Sequence, residues 1–138
     1  MKIKPGVAGF AYDTDPKSYG LENYLSPLFD FAKEKLKEQD IGQIPVYFGA
    51  TAGVRLVTYE ERHALMNRIR IYINSTGFKF NSRDAHVLSG EEEAMYNWVN
   101  VNNLNEFNGG DGGSIGTLDI GGASLEAAYE TPYDILDG

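Results

Sequence analysis

Segments with strand character alternate with segments of helical period along these 138 residues. Extended backbone is predicted for residues 2–10 and 44–48. Helix is predicted for residues 24–38, for a segment that begins at residue 58, and for residues 91–104. Alternation of this kind is typical of a layered α/β fold, in which helices pack on a sheet. We therefore expect an α/β architecture that forms one average domain or parts of two.

The segment that begins at residue 58 has the clearest helical signals. Thr58 and Glu61 have the spacing of a capping box, and Leu65, Ile69 and Ile73 recur four residues apart on one face. The end of this segment also alternates like a strand. Helix is the preferred interpretation because the cap and the period agree over four turns.

The first predicted helix carries an apolar stripe with lysines on the opposite side. The stripe consists of residues at helical spacing: Leu25, Leu28, Phe29, Ala32 and Leu36. Pro27 could mark the true start of this helix, because proline is well tolerated in a first turn.

Net charge and cysteine content exclude several classes of function. The formal charge of −8 argues against a nucleic-acid backbone or an anionic membrane surface as partner. An acidic protein that binds phosphate must rely on backbone N–H groups and a metal. The chain has no cysteine, which excludes disulfides and thiolate sites within it. We also expect no bilayer-crossing segment and no leader peptide within these residues.

Residues 117–124 are the most informative motif. They read as a short buried strand that places Asp119 at a turn formed by Gly121, Gly122, Ala123 and Ser124. Glycines can take positive φ and let main-chain N–H groups converge on an anion, and a nearby carboxylate suits a divalent cation. A plain Gly-Gly hairpin between strands at 115–120 and 125–130 explains the same residues equally well.

A second motif follows the predicted strand at 44–48. Small residues flank Thr51 at the carboxyl end of that strand, which is where open α/β folds bind ligands. The Thr51 hydroxyl can bind a phosphate oxygen or a metal-bound water. Arg55 could clamp a phosphate or pair with a carboxylate that holds the loop, and we favour the structural role because Arg55 lies at the start of the following helix.

A third motif opens the last helix with three consecutive glutamates. Ser89 and Glu92 fit a capping box, which gives Glu92 a structural explanation, and Glu91 is expected to be solvated. Glu93 lies about 100° further round the helix. If it faces a phosphate cleft, it could act as a general base toward water. The apolar residues that follow are expected in the core: Tyr96, Trp98 and Val99.

The three motifs together resemble the second, third and fourth conserved regions of the apyrase family, the nucleoside triphosphate diphosphohydrolases, in both order and spacing. The matching residues are 50–56, 89–98 and 118–124, and residues 2–6 and 24–28 are also similar. The family belongs to the actin and sugar-kinase superfamily. The resemblance therefore implies an actin-like ATPase fold, in which residues 1–88 belong to a first RNase-H-like lobe. Residues 89–138 would then form the lobe-crossing helix and the first hairpin of a second lobe.

The resemblance also assigns roles to individual residues. It makes Glu93 the general base, lets Asp119 hold Ca²⁺ or Mg²⁺ through a coordinated water, and lets Thr51 support the hydration shell of that cation. Ser124 would help to orient the attacking water. The residues implied to bind the nucleotide phosphate are Gly121, Gly122, Ala123, Ser124 and Thr51.

This sequence departs from the family pattern at several positions beside the chemistry. Ala94 and Asn97 stand where glycine is usual, and Leu125-Glu126 replaces a Thr-Gln pair. These departures put substrate preference in doubt more than mechanism. The first phosphate loop and the fifth conserved region have no match here, so the chain resembles the central part of a longer enzyme.

The resemblance implies metal-dependent hydrolysis of the terminal phosphate of nucleoside tri- and diphosphates. On its own the chain is expected to show little turnover, and the exposed hairpin could mediate self-association. Membrane association would occur only through parts outside the chain, and the location would be extracellular or in the secretory-pathway lumen. Two alternatives stay open: a phosphatase of polyphosphate or guanosine polyphosphates, and a non-catalytic nucleotide-binding fragment.

Overall fold

The computed structural model describes residues 1–4, 6–13, 20–105 and 113–131. The chain forms two compact units, residues 1–87 and residues 88–138. The helices are α1 (Gly20–Lys35), α2 (Ala52–Arg55), α3 (Tyr59–Ser75) and α4 (Gly90–Leu104). The strands are β1 (Phe48–Ala50), β2 (Ala85–Val87), β3 (Thr117–Ile120) and β4 (Leu125–Ala128). Short 3-10 turns occur at Val7–Phe10, Ile41–Gln43 and Ser82–Asp84. The mixed α/β class is confirmed, and none of the helices in the described ranges has the length and apolarity to span a bilayer.

The first unit is built on two parallel strands and the helix α3. Strands β1 and β2 pair in parallel, with Phe48 opposite Ala85 and Ala50 opposite Val87. Parallel strands require a crossover connection, and here α3 lies within it. The core of the unit contains apolar residues from α1, α3 and the strands, among them Leu21, Leu25, Ala50, Leu65, Ile69, Ile73 and Ala85.

Helix α3 confirms the prediction made from its cap and its period. The Thr58 N–H donates to Glu61 Oε2 at 3.0 Å, and the Glu61 N–H donates to Thr58 Oγ1 at 3.4 Å. Ile69 and Ile73 are fully buried, whereas Ile71 is 71% exposed. The strand-like alternation at the end of this segment therefore arises by chance within a helical stripe.

Helix α1 begins earlier than the sequence indicated, and Pro27 lies inside it. A proline in a helix interior has no N–H to donate to the carbonyl four residues earlier, which is that of Asn23. The Ser26 hydroxyl donates to this Asn23 carbonyl at 3.4 Å instead. The predicted bounds of 24–38 are therefore shifted toward the N-terminus, and the alternative start at Pro27 is wrong, because the neighbouring Ser26 hydroxyl bonds the carbonyl that Pro27 cannot.

The extended segments predicted near the start of the chain need two further corrections. Residues 7–10 form a 3-10 turn rather than a strand, with the Gly9 N–H donating to the Gly6 carbonyl at 3.2 Å. The predicted strand at 44–48 is displaced toward β1, since Pro45 makes only an isolated bridge to Lys79. The Val46 N–H donates to the Lys79 carbonyl and the Lys79 N–H donates to the Ile44 carbonyl, both at 3.0 Å, so residues 44–46 pair with a segment other than β2.

The second unit consists of helix α4 packed on the antiparallel hairpin of β3 and β4. The predicted cap of α4 is confirmed, because Ser89 N–H donates to Glu92 Oε2 at 2.9 Å and Glu92 N–H donates to Ser89 Oγ at 3.1 Å. The Asn102 amide fastens the helix to the chain that leads into β3. Its Nδ2 donates to the Ile115 carbonyl at 3.0 Å, and its Oδ1 accepts from the Ile115 N–H at 2.8 Å.

Many of the apolar residues that the structure describes in this unit, within residues 88–105 and 113–131, are exposed. Tyr96 and Val99 are 44% and 47% exposed, so the prediction that they are core residues is wrong, and Trp98 is half-buried. On the hairpin, Leu118 and Ile120 are 63% and 74% exposed. The less exposed side of the hairpin carries three polar residues and one alanine: Thr117, Asp119, Glu126 and Ala128.

Candidate functional site

Three carboxylates come together in the second unit. Glu93, Asp119 and Glu126 each offer one carboxylate oxygen, and these three oxygens lie within 4.8 Å of one another. Glu93 and Asp119 are half-buried, and Glu126 is only 7% exposed. The structure therefore brings together the predicted base and the predicted metal ligand, and adds a third acidic residue.

The register of the hairpin places two of these carboxylates. Asp119 and Glu126 are partners across the antiparallel ladder. Because side chains alternate between the faces of a strand, partners in a ladder project from the same face. That face is the buried one on both strands, and α4 packs on the hairpin.

Helix α4 supplies the third carboxylate from its first turn. The side chain of Glu92 is held by the capping box with Ser89, which separates it from its neighbour Glu93. Glu93 follows by about 100° of helical rotation and joins the acidic cluster instead. The positive end of the helix dipole favours a negative charge at this position.

The cluster has a high electrostatic cost without a cation or a donor. Like charges directly opposite each other in a sheet are destabilising, and a buried carboxylate needs compensating contacts. Asn97 provides one such contact, because its Nδ2 donates to Asp119 Oδ2 at 2.7 Å. Asn97 lies one turn after Glu93 on α4, so both side chains project from the same side of the helix.

The donor set of the cluster fits a divalent cation of the alkaline-earth type. Ca²⁺ and Mg²⁺ are hard cations that bind carboxylate oxygens, often together with water. Glu93, Asp119 and Glu126 offer such oxygens within 4.8 Å of one another. The chemistry of these oxygens is that of a site that could hold a divalent cation.

The turn between β3 and β4 does not have the backbone conformation that the sequence suggested. Positive φ among the described glycines occurs at Gly77 and Gly113, not at Gly121 or Gly122. The turn is closed by the Gly121 N–H, which donates to the Ser124 carbonyl at 3.0 Å. A Cβ at Gly122 would meet no atom within 4 Å, so this position lies open. Phosphate binding by the turn remains a prediction.

Thr51 lies in the first unit, at the end of β1. It is exposed and forms the N-cap of α2, where its carbonyl accepts from the Val54 N–H at 2.9 Å. The sequence predicted Arg55 at the start of the next helix, but it is the last residue of the short helix α2. The phosphate and metal-water roles of Thr51 remain predictions.

Comparison with known proteins identifies the family. The model of the GDA1/CD39 (nucleoside phosphatase) family matches residues 1–137. The chain belongs to this family. The resemblance to apyrases that the three motifs indicated is thereby confirmed.

Named relatives in the GDA1/CD39 family agree with this membership. The chain is 32% identical to the Golgi apyrase of Schizosaccharomyces pombe over 137 residues, which cover 96% of this chain and 23% of that protein. It is 29% identical to the nucleoside-triphosphatase ntp-1 of Caenorhabditis elegans, covering 94% of this chain and 23% of the relative. Human ectonucleoside triphosphate diphosphohydrolase 7 is 31% identical, and the match covers 95% of this chain and 24% of that protein. The chain thus spans about a quarter of the length of these relatives.

The sequence of this GDA1/CD39 chain marks Glu126 and Asn97 only as departures from the family pattern, and not as site residues. Glu126 could have been found from the hairpin alone, since a turn of residues 121–124 pairs Ile120 with Leu125 and therefore Asp119 with Glu126. Asn97 could have been found from its spacing of four residues from Glu93. Both signals depend on combining the local structure of two elements.

Proposed function

We propose that the protein carrying this chain hydrolyses the terminal phosphate of nucleoside tri- and diphosphates with the help of Ca²⁺ or Mg²⁺. The acidic cluster of Glu93, Asp119 and Glu126 is the observation that carries the proposal. Membership in a nucleoside phosphatase family supports the same chemistry. The names of its relatives, which include apyrases and nucleoside triphosphatases, support the nucleotide as substrate.

Within this mechanism Glu93 is the general base. Its half-buried carboxylate, at the positive end of α4, accepts a proton from the water that attacks the terminal phosphorus. Asp119 would hold the cation, and Glu126 would add negative charge to the same cluster. A bound divalent cation would neutralise the phosphate charge that otherwise opposes attack.

The turn residues bind the terminal phosphate through their main chain. The Gly121 N–H closes the turn, which leaves the N–H groups of Gly122, Ala123 and Ser124 for phosphate oxygens. Gly121 therefore contributes by shaping the turn, and the Ser124 hydroxyl orients the attacking water. Preorganised N–H donors of this kind are worth a few kcal/mol each in a transition state.

We assign the two units to the two lobes of an actin-like ATPase fold. Residues 1–88 would belong to the first RNase-H-like lobe, and residues 89–138 would provide the lobe-crossing helix and the first hairpin of the second. The secretory-pathway lumen or the cell exterior is the proposed location, because the relatives include a Golgi apyrase and ectonucleoside triphosphate diphosphohydrolases.

Phosphate release by the full-length protein tests the proposed function. Phosphate release from ATP, from ADP and from inorganic polyphosphate is measured in the presence of Mg²⁺, of Ca²⁺ or of excess chelator. We expect cation-dependent release from the nucleotides and little from polyphosphate. Preferential release from polyphosphate would support a polyphosphate phosphatase instead, and nucleotide binding without release would indicate a non-catalytic role. The 138-residue chain alone is expected to turn over slowly or not at all.

A further inference from the structure

The Asp119 carboxylate accepts a hydrogen bond from Asn97, an asparagine in the interior of α4 that caps neither end of the helix. Asn97 Nδ2 donates to Asp119 Oδ2 at 2.7 Å, a short distance typical of a hydrogen bond to a charged acceptor. Asn97 is half-buried in the middle of α4. Asparagine is a weak helix former, because its amide competes with the backbone for hydrogen bonds.

A comparison with a second asparagine of α4 separates two roles. Asn102 bonds the Trp98 and Ile115 carbonyls and the Ile115 N–H, and so fastens the helix to the chain before β3. Asn97 makes no comparable backbone contact among the described residues and donates to a carboxylate oxygen instead. The link between helix and hairpin is therefore available without Asn97.

The hydrogen bond constrains the Asp119 carboxylate in a specific way. An aspartate in a strand can rotate its carboxylate plane broadly about χ2. Repulsion from Glu126, its partner across the ladder, and from Glu93 would turn it away from the cluster. Donation to Oδ2 opposes this rotation and offsets part of the charge of the carboxylate.

We propose that Asn97 is a positioning residue that holds the Asp119 carboxylate in the orientation required for binding a divalent cation. The inference rests on the proposed function for the role of the cation in phosphate hydrolysis, but the binding step can be measured without turnover. Groups that orient a metal ligand by hydrogen bonding typically contribute 10- to 100-fold to affinity. We expect the lower part of this range, because Asn97 contacts one of several carboxylates.

The first experiment titrates the full-length protein with Mn²⁺ and follows free Mn²⁺ by electron paramagnetic resonance. Asn97→Ala should raise the Kd for Mn²⁺ about 10-fold. Asn97→Leu, which has a similar shape without a donor, should do the same. Asn100→Ala is the matched control, because Asn100 is an exposed asparagine on the same helix. An unchanged Kd in both Asn97 variants would overturn the proposal, as would loss of folding in both, which would show a structural role.

A double-mutant cycle tests whether Asn97 acts through Asp119. In an Asp119→Ala background, Asn97→Ala should weaken Mn²⁺ binding no further, since the carboxylate that it orients is gone. An additional loss of the same size would overturn the positioning role. The activity assay should show a higher half-saturating Mg²⁺ concentration for Asn97→Ala, with the nucleotide KM at saturating Mg²⁺ close to that of the wild type.

The two proposals fail in distinguishable ways. If the wild-type protein hydrolyses no nucleotide while Asn97→Ala still weakens Mn²⁺ binding, the proposed function is wrong and the positioning role stands. If the wild type hydrolyses nucleotides with Mg²⁺ while Asn97→Ala binds Mn²⁺ normally, the positioning role is wrong and the proposed function stands.

Discussion

Asp119 and Glu126 are partners across the antiparallel ladder of β3 and β4, and their carboxylates share the buried face of the hairpin. Two acidic residues in this relationship repel each other. A hairpin selected for stability alone would place opposite charges or apolar residues there. The arrangement is explained if the repulsion is relieved by a bound cation during function.

Glu126→Gln should therefore separate stability from metal binding. Without a divalent cation, the free energy of unfolding of the variant should be about 0.2–1 kcal/mol higher than that of the wild type, because one of two opposed like charges is removed. Its affinity for Ca²⁺ should fall. Urea unfolding in chelator and calorimetric titration with Ca²⁺ measure the two effects, with Glu38→Gln as an exposed control. A variant that is destabilised without cation would contradict this account.

Asp119→Ala should reduce the response of activity to metal more than it reduces stability. The side chain is half-buried, and its partners are Asn97 and the acidic cluster. Its loss removes a ligand but also relieves repulsion, so the melting temperature should change little. Activity is titrated with Mg²⁺ and Ca²⁺ in the full-length protein. An unchanged half-saturating concentration would exclude Asp119 as a metal ligand.

Elements specified by local signals could be predicted from the sequence. Helix α3 has its cap at Thr58 and a regular apolar stripe, and helix α4 has its cap at Ser89. Neither feature depends on distant residues. The start of α1 could not be predicted, because the cost of Pro27 inside the helix is reduced by the Ser26 hydroxyl.

The candidate site was only partly predictable for a related reason. Glu93 and Asp119 are in recognisable motifs, but Glu126 joins them through the register of the hairpin. The exposure of Tyr96 and Val99 was missed, because apolar character does not reveal which surface is available to pack against. Packing depends on how separate segments meet, which spacing along the chain does not encode.

Ile69→Ala should destabilise the first unit strongly. Ile69 is fully buried on α3, so the change leaves a cavity that the surrounding core fills only partly. The expected loss is about 2–5 kcal/mol in the free energy of unfolding. Ile71→Ala is the control, because Ile71 is on the same helix and 71% exposed. Urea unfolding of both variants provides the measurement, and equal losses would contradict the assigned helical faces.

Tyr72 should make stability depend on alkaline pH. Burial raises the pKa of the Tyr72 phenol above its ordinary value of 10.0, and the nearby negative charges of Asp30 and Glu22 raise it further. A raised pKa in the folded state stabilises the protein below pH 10, and this stabilisation is lost as the pH rises through the folded-state pKa. Urea midpoints measured from pH 9 upward should therefore fall more steeply for the wild type than for Tyr72→Phe. Parallel curves would show that the phenol titrates alike in both states.

The neighbouring glutamates Glu92 and Glu93 offer the sharpest test of the proposed base. Glu93→Gln should lower the turnover of the full-length protein by about 10²–10⁴, because an amide cannot accept the proton of the attacking water. Nucleotide binding should remain, since the change keeps the size of the side chain. Glu92→Gln should have little effect, because glutamine can replace glutamate in a capping box with Ser89. Phosphate release and nucleotide affinity are measured for both variants, and circular dichroism confirms that each is folded. If Glu92→Gln were the more damaging change, Glu93 would not be the base, and the geometry of the cluster would need another explanation.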